Sequence, residues 1–297
     1  MTAGRVLVVG DLITDVVAVL AGPPATGSDT PAAIRFSGGG QAANTAAWLA
    51  ARGVPVTLVG AVGDDSQGRD RVAELARAGV DCAVSRHPDH PTGTVIVLAT
   101  DGERTMITER GANLRLTPEH VEAALAAAPD AAHLHLSGYS LLDAASRPAG
   151  LAALAAARGR GLTTSVDAAS AAPLRRVGAA AFLTWVREVD LLLVNADEAT
   201  VLAGGLDPAA QGRALTASAR RVVVKRGAAG AVWVDRGGAV TVSPARRVAV
   251  VDVTGAGDAF AAGLLSAWLS GAAPAAALAR AGDLGASAVS QVGARPG

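Results

Sequence analysis

Short apolar runs recur along the chain, and most are followed by longer stretches with helical periodicity. Arg5–Val9 is a β-rich run that ends at Gly10 and predicts a first central strand. Pro55–Val59, Ala132–Leu136, Leu162–Val166, Leu191–Val194 and Arg221–Lys225 predict further strands. Helices are expected over Gln41–Arg52, stopped by Gly53, and over Ser66–Ala78, ended by Gly79. Two more are expected over Leu141–Arg158 and from Ala199 onward. Apolar strands alternating with helices predict an α/β fold with a mostly parallel sheet covered on both faces.

Two early regions break that rhythm. Val16–Leu20 and Ala32–Phe36 read as strands on either side of a loop marked by Pro23, Pro24 and Gly27. Thr92–Ala99 and Arg104–Thr108 flank Asp101-Gly102, a hairpin signal. Segments of about 12–37 and 92–108 are therefore expected to form a small β-lid on the α/β body. A second hairpin is predicted for Gly230–Val234 and Ala239–Val242 around Gly237-Gly238. Ala259–Ala279 carries no charge and is long enough to span a bilayer, but Gly271 and Pro274 interrupt it, so two buried helices are expected. No repeat, long linker or charge block divides residues 1–297, which predicts one domain.

Composition narrows the function classes. Hydrophobic residues make up 51% of the 297-residue chain and charged residues 18%, which favours a sizeable core over disorder. Net charge is +0 and no basic stripe is present, which argues against a nucleic-acid partner. Cys82 is the only cysteine, so no intramolecular disulfide and no cysteine metal cage can form, as suits a reducing cytoplasm. It is expected to be a small buried apolar residue.

Four glycine-rich or polar elements stand out along the chain. Asp252-Val253-Thr254-Gly255-Ala256-Gly257-Asp258 precedes an apolar helical run. Glycines before a helix let several N–H groups face one point, and the helix N-terminus adds partial positive charge, which makes an anion hole. A carboxylate there would repel a phosphate, so Asp258 suits a base that takes a proton from an attacking hydroxyl; a helix N-cap is the alternative. Gly38-Gly39-Gly40-Gln41-Ala42-Ala43-Asn44 is neither a P-loop nor a dinucleotide turn. It could bring backbone amides and Asn44 to a ligand's hydroxyls, or simply serve tight packing. Asn195-Ala196-Asp197-Glu198 offers an amide and a carboxylate suited to hydrated Mg²⁺, or a helix cap. Lys225-Arg226-Gly227-Ala228-Ala229-Gly230 could meet ATP phosphates through Lys225, or form a hairpin turn.

Taken in order over nearly the whole chain, these motifs resemble the PfkB (ribokinase-like) family of carbohydrate and nucleoside kinases. Gly63-Asp64-Asp65 and Gly111-Ala112-Asn113 look like family landmarks too. The resemblance implies a ribokinase-like three-layer α/β/α body with a β-lid closing over the acceptor. It implies an ATP-dependent phosphotransferase acting on an alcohol group of a sugar or sugar-like metabolite. Asp258 would be the catalytic base and the amides of Gly255, Ala256 and Gly257 the anion hole. Asn195 and Glu198 would organise Mg²⁺, mainly through water. ATP would meet Asn195, Lys225, Gly227, Gly230, Thr254 and Gly257. Gly10 to Asp15 match the family's opening, which assigns acceptor binding to Asp15 beside Gly39, Gly40 and Asn44, with Asp11 a further candidate. Asp252, Thr254 and Gly293 fall where many relatives hold a monovalent cation, K⁺. The resemblance also suggests a homodimer through the lid.

The sequence departs from the best-known ribokinase pattern at Gln41, where lysine is frequent, and at His135-Leu136-Ser137-Gly138-Tyr139, which lacks a glutamate. Ribose is thereby disfavoured as acceptor. Aromatic residues are 3% of the chain, with Tyr139, Phe36 and Trp48 alone near candidate loops, which favours sugars over nucleosides. Arg104 and Arg110 are expected to be solvated hairpin charges. The alternatives are a nucleoside kinase, a non-catalytic sugar-binding regulator on the same fold, and a nucleotide-dependent oxidoreductase, the last disfavoured by the missing dinucleotide turn.

Overall fold

Alternate residues of each central strand point to opposite faces of a sheet, and here both faces are covered by helices. The computed structural model describes residues 4–100, 103–205 and 207–297, with backbone alone for Thr100, Glu103 and Arg104. The chain opens with strands β1 (Arg5–Val9), β2 (Ile13–Leu20) and β3 (Ala32–Gly39), then helix α1 (Gln41–Ala51), β4 (Val56–Gly63), α2 (Ser66–Arg77) and β5 (Asp81–His87). Strands β6 (Gly93–Thr100) and β7 (Glu103–Glu109) pair antiparallel, and the turn expected at Asp101-Gly102 lies outside the described residues. Helix α3 (Pro118–Ala126), β8 (Ala131–Ser137), α4 (Tyr139–Leu142), α5 (Arg147–Gly159) and β9 (Thr163–Asp167) follow. Next come α6 (Ala171–Val177), α7 (Ala179–Trp185), β10 (Leu191–Asn195), α8 (Ala196–Ala203), α9 (Pro208–Leu215) and β11 (Arg221–Lys225). The chain ends with β12 (Ala231–Asp235), β13 (Val240–Ser243), α10 (Ala256–Leu269) and α11 (Pro274–Val289).

The main sheet has the order β13-β12-β11-β10-β9-β8-β1-β4-β5 among the described residues. Strands β11 to β5 run parallel and β12 and β13 add an antiparallel edge. Leu7, Val9, Leu192, Val194, Val222 and Val224 pack on one face with residues of α3 and α5 to α9. Their neighbours Val6, Val8, Leu191, Leu193 and Val223 pack on the other with α1, α10 and α11. This is the expected three-layer α/β/α arrangement, and its two-sided burial explains the unbroken apolar strands.

Some local expectations need correction. The helix expected over Leu141–Arg158 is two helices. The chain turns extended at Asp143, and Pro148, at the start of α5, has no N–H to continue a helix from before it. Helix α8 starts at Ala196 rather than Ala199, because Asn195 and Glu198 cap it. Edge strand β5 carries polar residues and lacks a clean apolar pattern, and it escapes the sequence reading. Cys82 on β5 is half-buried, and burial pushes its thiol up to about 11. The uncharged run 259–279 resolves into α10 and α11 with Gly271 between them in the left-handed region. Among the described residues, no helix is long and apolar enough to cross a membrane.

Strands β3, β2, β6 and β7 form a separate four-stranded sheet in that order. Strands β2 and β6 pair in parallel and the outer strands pair antiparallel to them. One face holds the small cluster Ile13, Val95 and Val97 with Val17. The sheet joins the body where β2 follows the end of β1 and β3 runs into α1.

Candidate functional site

The carboxyl ends of β1, β8, β9, β10 and β11 lie along one edge of the main sheet, where ligands of open α/β sheets gather. Asp11 follows β1 and is 3% exposed. Its carboxylate accepts from the amides of Gln41 (3.0 Å) and Ala42 (3.4 Å) and from Ser137 Oγ (2.9 Å). Asp11 therefore holds the first turn of α1. Gly40 makes that approach feasible: it sits at φ 101°, and a Cβ there would lie 2.4 Å from the Asp11 carbonyl oxygen.

Helix α10 begins at Gly255, in the left-handed region at φ 73°. A Cβ on Gly255 would lie 2.4 Å from the carbonyl oxygen of Ala294, so the C-terminal turn packs directly against this glycine. Among the described residues no side chain caps α10, and its first-turn N–H groups have no intrahelical acceptor. Of the three expected hole amides, that of Ala256 leans on the Val253 carbonyl at 3.3 Å. Gly255, not Asp258, occupies the N-cap position, so the capping alternative for Asp258 falls. Asp258 Oδ2 instead accepts from Asn44 Nδ2 at 2.9 Å. Asp258 keeps some exposure as a residue, but its carboxyl is closely surrounded by protein. Burial pushes it up to about 8; Asn44 and Lys225 oppose the rise, while Asp167 and Asp11 add to it.

Lys225 ends β11, and its Nζ donates to Asp167 Oδ2 at 2.5 Å. A Cβ on Gly257 would lie 3.6 Å from that Nζ, so the ammonium faces the open turn of α10. Burial alone would lower the Lys225 pKa, but the charges of Asp167 and Glu198 outweigh it and leave it raised. Asp167 ends β9, is 1% exposed, and also accepts from Gln41 Nε2 at 3.1 Å. Asn195 and Glu198 form a reciprocal capping box. Asn195 Oδ1 accepts from the Glu198 amide (2.9 Å) and Glu198 Oε2 from the Asn195 amide (2.7 Å). Glu198 is buried, and burial chiefly pushes its carboxyl up to about 7. No group of three or more His, Cys, Asp or Glu side chains suited to a metal converges among the described residues.

Asp15, on the inner face of the small sheet, makes no hydrogen bond among the described residues. Burial pushes it up to about 6, with Arg295 opposing. Gly39 leaves room for it, since a Cβ there would lie 2.3 Å from its carboxylate. Arg110 is not a solvated hairpin charge: its guanidinium stacks 4.2 Å from the Tyr139 ring centroid and lies 4.0 Å from Asp11 Oδ2. The side chain of Arg104 is outside the described residues. Gly227 and Gly230 bound a short 3₁₀ turn at positive φ. A Cβ on Gly230 would lie 2.0 Å from the Ser243 carbonyl oxygen, so this glycine serves the crossing of two chain segments. Asp252 accepts from the amides of Thr254 (2.9 Å) and Gly293 (3.1 Å), tying the late glycine loop to the C-terminal turn.

Two site residues escaped the sequence reading. Asp167 stands alone at a strand end in Ser165-Val166-Asp167-Ala168, and Arg295 is the last charge of the chain. Position at a strand's carboxyl end was the one available signal for Asp167. Arg295 had none.

The profile of the pfkB family carbohydrate kinases matches residues 3–297. An ATP-dependent ribose-1-phosphate kinase of Halopiger xanaduensis is 34% identical over 92% of this chain and 87% of its own. The crystal structure of an adenosine kinase from Sinorhizobium meliloti superposes with a TM-score of 0.87 at 26% identity, covering 99% of this chain and 96% of that one. A putative ribokinase II from E. coli, solved in complex with ATP and Mg²⁺, gives 0.85 at 25% identity over 98% and 94%.

The Asp258 carboxyl also makes a stability prediction. In the unfolded chain it ionises near its ordinary 3.8, whereas the folded chain holds the proton up to about 8. Between those values the folded state binds more protons, so this group lowers stability as pH rises and its effect is complete above about pH 8. Asp258→Asn removes the penalty. Urea unfolding across pH should show the variant more stable than the parent at alkaline pH, with the gap closing toward pH 4.

Proposed function

The chain belongs to the pfkB family of carbohydrate kinases, and from that premise we propose a phosphoryl transfer from ATP to a sugar hydroxyl in which Asp258 is the base. One arrangement carries the assignment: the Asp258 carboxyl, held by Asn44 Nδ2, sits in the first turn of a helix that no side chain among the described residues caps, with the Lys225 ammonium facing the same turn. The acceptor hydroxyl gives its proton to Asp258 as its oxygen attacks the γ-phosphorus, and the bond from that phosphorus to the bridging oxygen of ADP breaks. The amides at Gly255–Gly257 and the Lys225 ammonium face the charge that builds on the transferring group. Asp15, with its unbonded carboxylate, holds acceptor hydroxyls beside Gly39, Gly40 and Asn44. The small sheet acts as a lid that keeps water from the phosphoryl group.

Mg²⁺ would accompany ATP and offset its phosphate charge, and Asn195 and Glu198 would hold it. The reciprocal bonds of Asn195 and Glu198 disfavour direct coordination and suit an outer-sphere role through water. Asn195, Gly227, Gly230 and Thr254 belong to the ATP side on the resemblance alone. The K⁺ assignment at Asp252, Thr254 and Gly293 likewise rests on it, and turnover measured with and without K⁺ tests it. A sugar is favoured over a nucleoside because the aromatic rings near the site are engaged elsewhere. Tyr139 stacks on Arg110, Trp48 bonds the Ala294 carbonyl, and Phe36 lies on the outer face of the lid.

That outer face supports a homodimer. Phe36, Val16, Ile96 and Ile107 stand in one cross-strand row, and Phe36 and Ile107 are 67% and 54% exposed. A contiguous apolar row of this kind marks an interface.

Two outcomes follow. Asp258→Asn should retain the fold and lose at least ~100-fold in turnover, the lower range for a positioned base. ADP release measured over sugars, sugar phosphates, sugar acids and nucleosides checks this and identifies the acceptor; near-normal turnover removes the base assignment, and no ADP release with any acceptor favours a binding protein. Phe36→Asp should convert the dimer to a monomer in light scattering, and a parent protein already monomeric at working concentration refutes the interface.

A further inference from the structure

We propose that Arg295 is a positioning residue: it fixes the side-chain amide of Asn44 so that the NH₂ group always faces Asp258. The inference rests on the reading of Asp258 as the base.

A guanidinium can only donate hydrogen bonds, whereas an amide has one accepting and one donating end. Arg295 Nε lies 3.1 Å from Asn44 Oδ1, and Asn44 Nδ2 lies 2.9 Å from Asp258 Oδ2. Turning the amide over would set NH₂ against guanidinium N–H and, once Asp258 is ionised, oxygen against carboxylate oxygen. Asn44 is 5% exposed, so water is not at hand to relieve either contact. The donor toward the base is therefore dictated from the far side of the amide.

Arg295 is itself held in place. Its Nη2 donates to the Gly39 carbonyl (3.0 Å), and Nη1 lies 3.5 Å from Glu74 Oε2. Gln291 Nε2 donates to its carbonyl (2.9 Å), and Trp48 Nε1 to that of Ala294 (2.9 Å). Burial lowers its pKa to about 10, which leaves it a cation at neutral pH.

Asp258 is faced by Asp167 and Lys225 from the ends of β9 and β11, by Asp11 after β1, by Tyr139 on α4, and by Arg295. Of these, Lys225 and Arg295 favour the ionised carboxylate, as does the Asn44 bond. Removing Arg295 takes away one cation and releases the amide, which can then present its oxygen to a protonated Asp258. Both effects favour the protonated, inactive form of the base. Activity that rises with pH as Asp258 ionises should then rise at higher pH.

The test is kcat against pH for the parent, Arg295→Met, Arg295→Gln and Arg295→Lys, with each fold checked by its unfolding midpoint. In Arg295→Met the rising limb should move alkaline by about one unit, so that kcat falls about tenfold below the limb and returns to near the parent value above it. Arg295→Gln carries both donor and acceptor, cannot dictate the amide, and should shift likewise; it decides the matter if the Met variant fails to fold. Arg295→Lys, again a donor-only cation, should recover part of the shift. A uniform loss at every pH, or a limb that stays put in both neutral variants, overturns the proposal. The base assignment fails separately, by turnover that survives in Asp258→Asn.

Discussion

Helices α1 and α10 start beside one another at the carboxyl edge of the sheet, and one hydrogen bond, from Asn44 to Asp258, joins their first turns. Both starts carry unsatisfied N–H groups and partial positive charge. Asp11 consumes this potential at α1, because its carboxylate takes the amides of Gln41 and Ala42. At α10 no side chain among the described residues caps the start, and of the Gly255–Gly257 amides that of Ala256 leans on a carbonyl, that of Val253. The asymmetry makes one helix start a structural joint and leaves the other open to an anionic ligand.

Around that open turn the fold gathers more carboxyl groups than a stable core would choose. Burial pushes the Asp258 carboxyl up to about 8 and raises that of Glu198 as well. Lys225 offsets part of the charge through Asp167, and the Glu198 carboxylate accepts both donors of Asn195. A buried carboxyl that holds its proton into the alkaline range weakens the fold at neutral pH. Such a cost is expected where function competes with stability.

The periodic parts of the chain were legible in sequence because the body is a two-sided sheet, whose buried strands read as plain apolar runs. Edge strand β5 was not legible, since a half-exposed strand need not be apolar. Asp258 stood out because its glycine loop is local in sequence, and its neighbours in the motif are its neighbours in space. Asn195 and Glu198 illustrate the opposite problem. Their spacing suits both a cap and a water-held metal, and only coordinates show that each already bonds the other. Arg110 looked like a hairpin charge because its partners, Tyr139 and Asp11, are far away in sequence. Asp167 and Arg295 belong to the same class: single residues whose meaning comes from a contact no local pattern encodes.

The final turn of the chain shows why such contacts matter. Gly293 donates to Asp252, Ala294 lies against Gly255 and accepts from Trp48, and Arg295 reaches Asn44 and Gly39. Three consecutive residues thus touch the loop that opens α10, the helix α1 and the strand β3 that leads into it. A displacement of this turn would loosen the Gly255 packing and the Asn44 amide together, although the two lie on different elements. Close packing allows little independent adjustment at such a junction. The geometry of the α10 start and the orientation of the group beside the proposed base are consequently set by one segment.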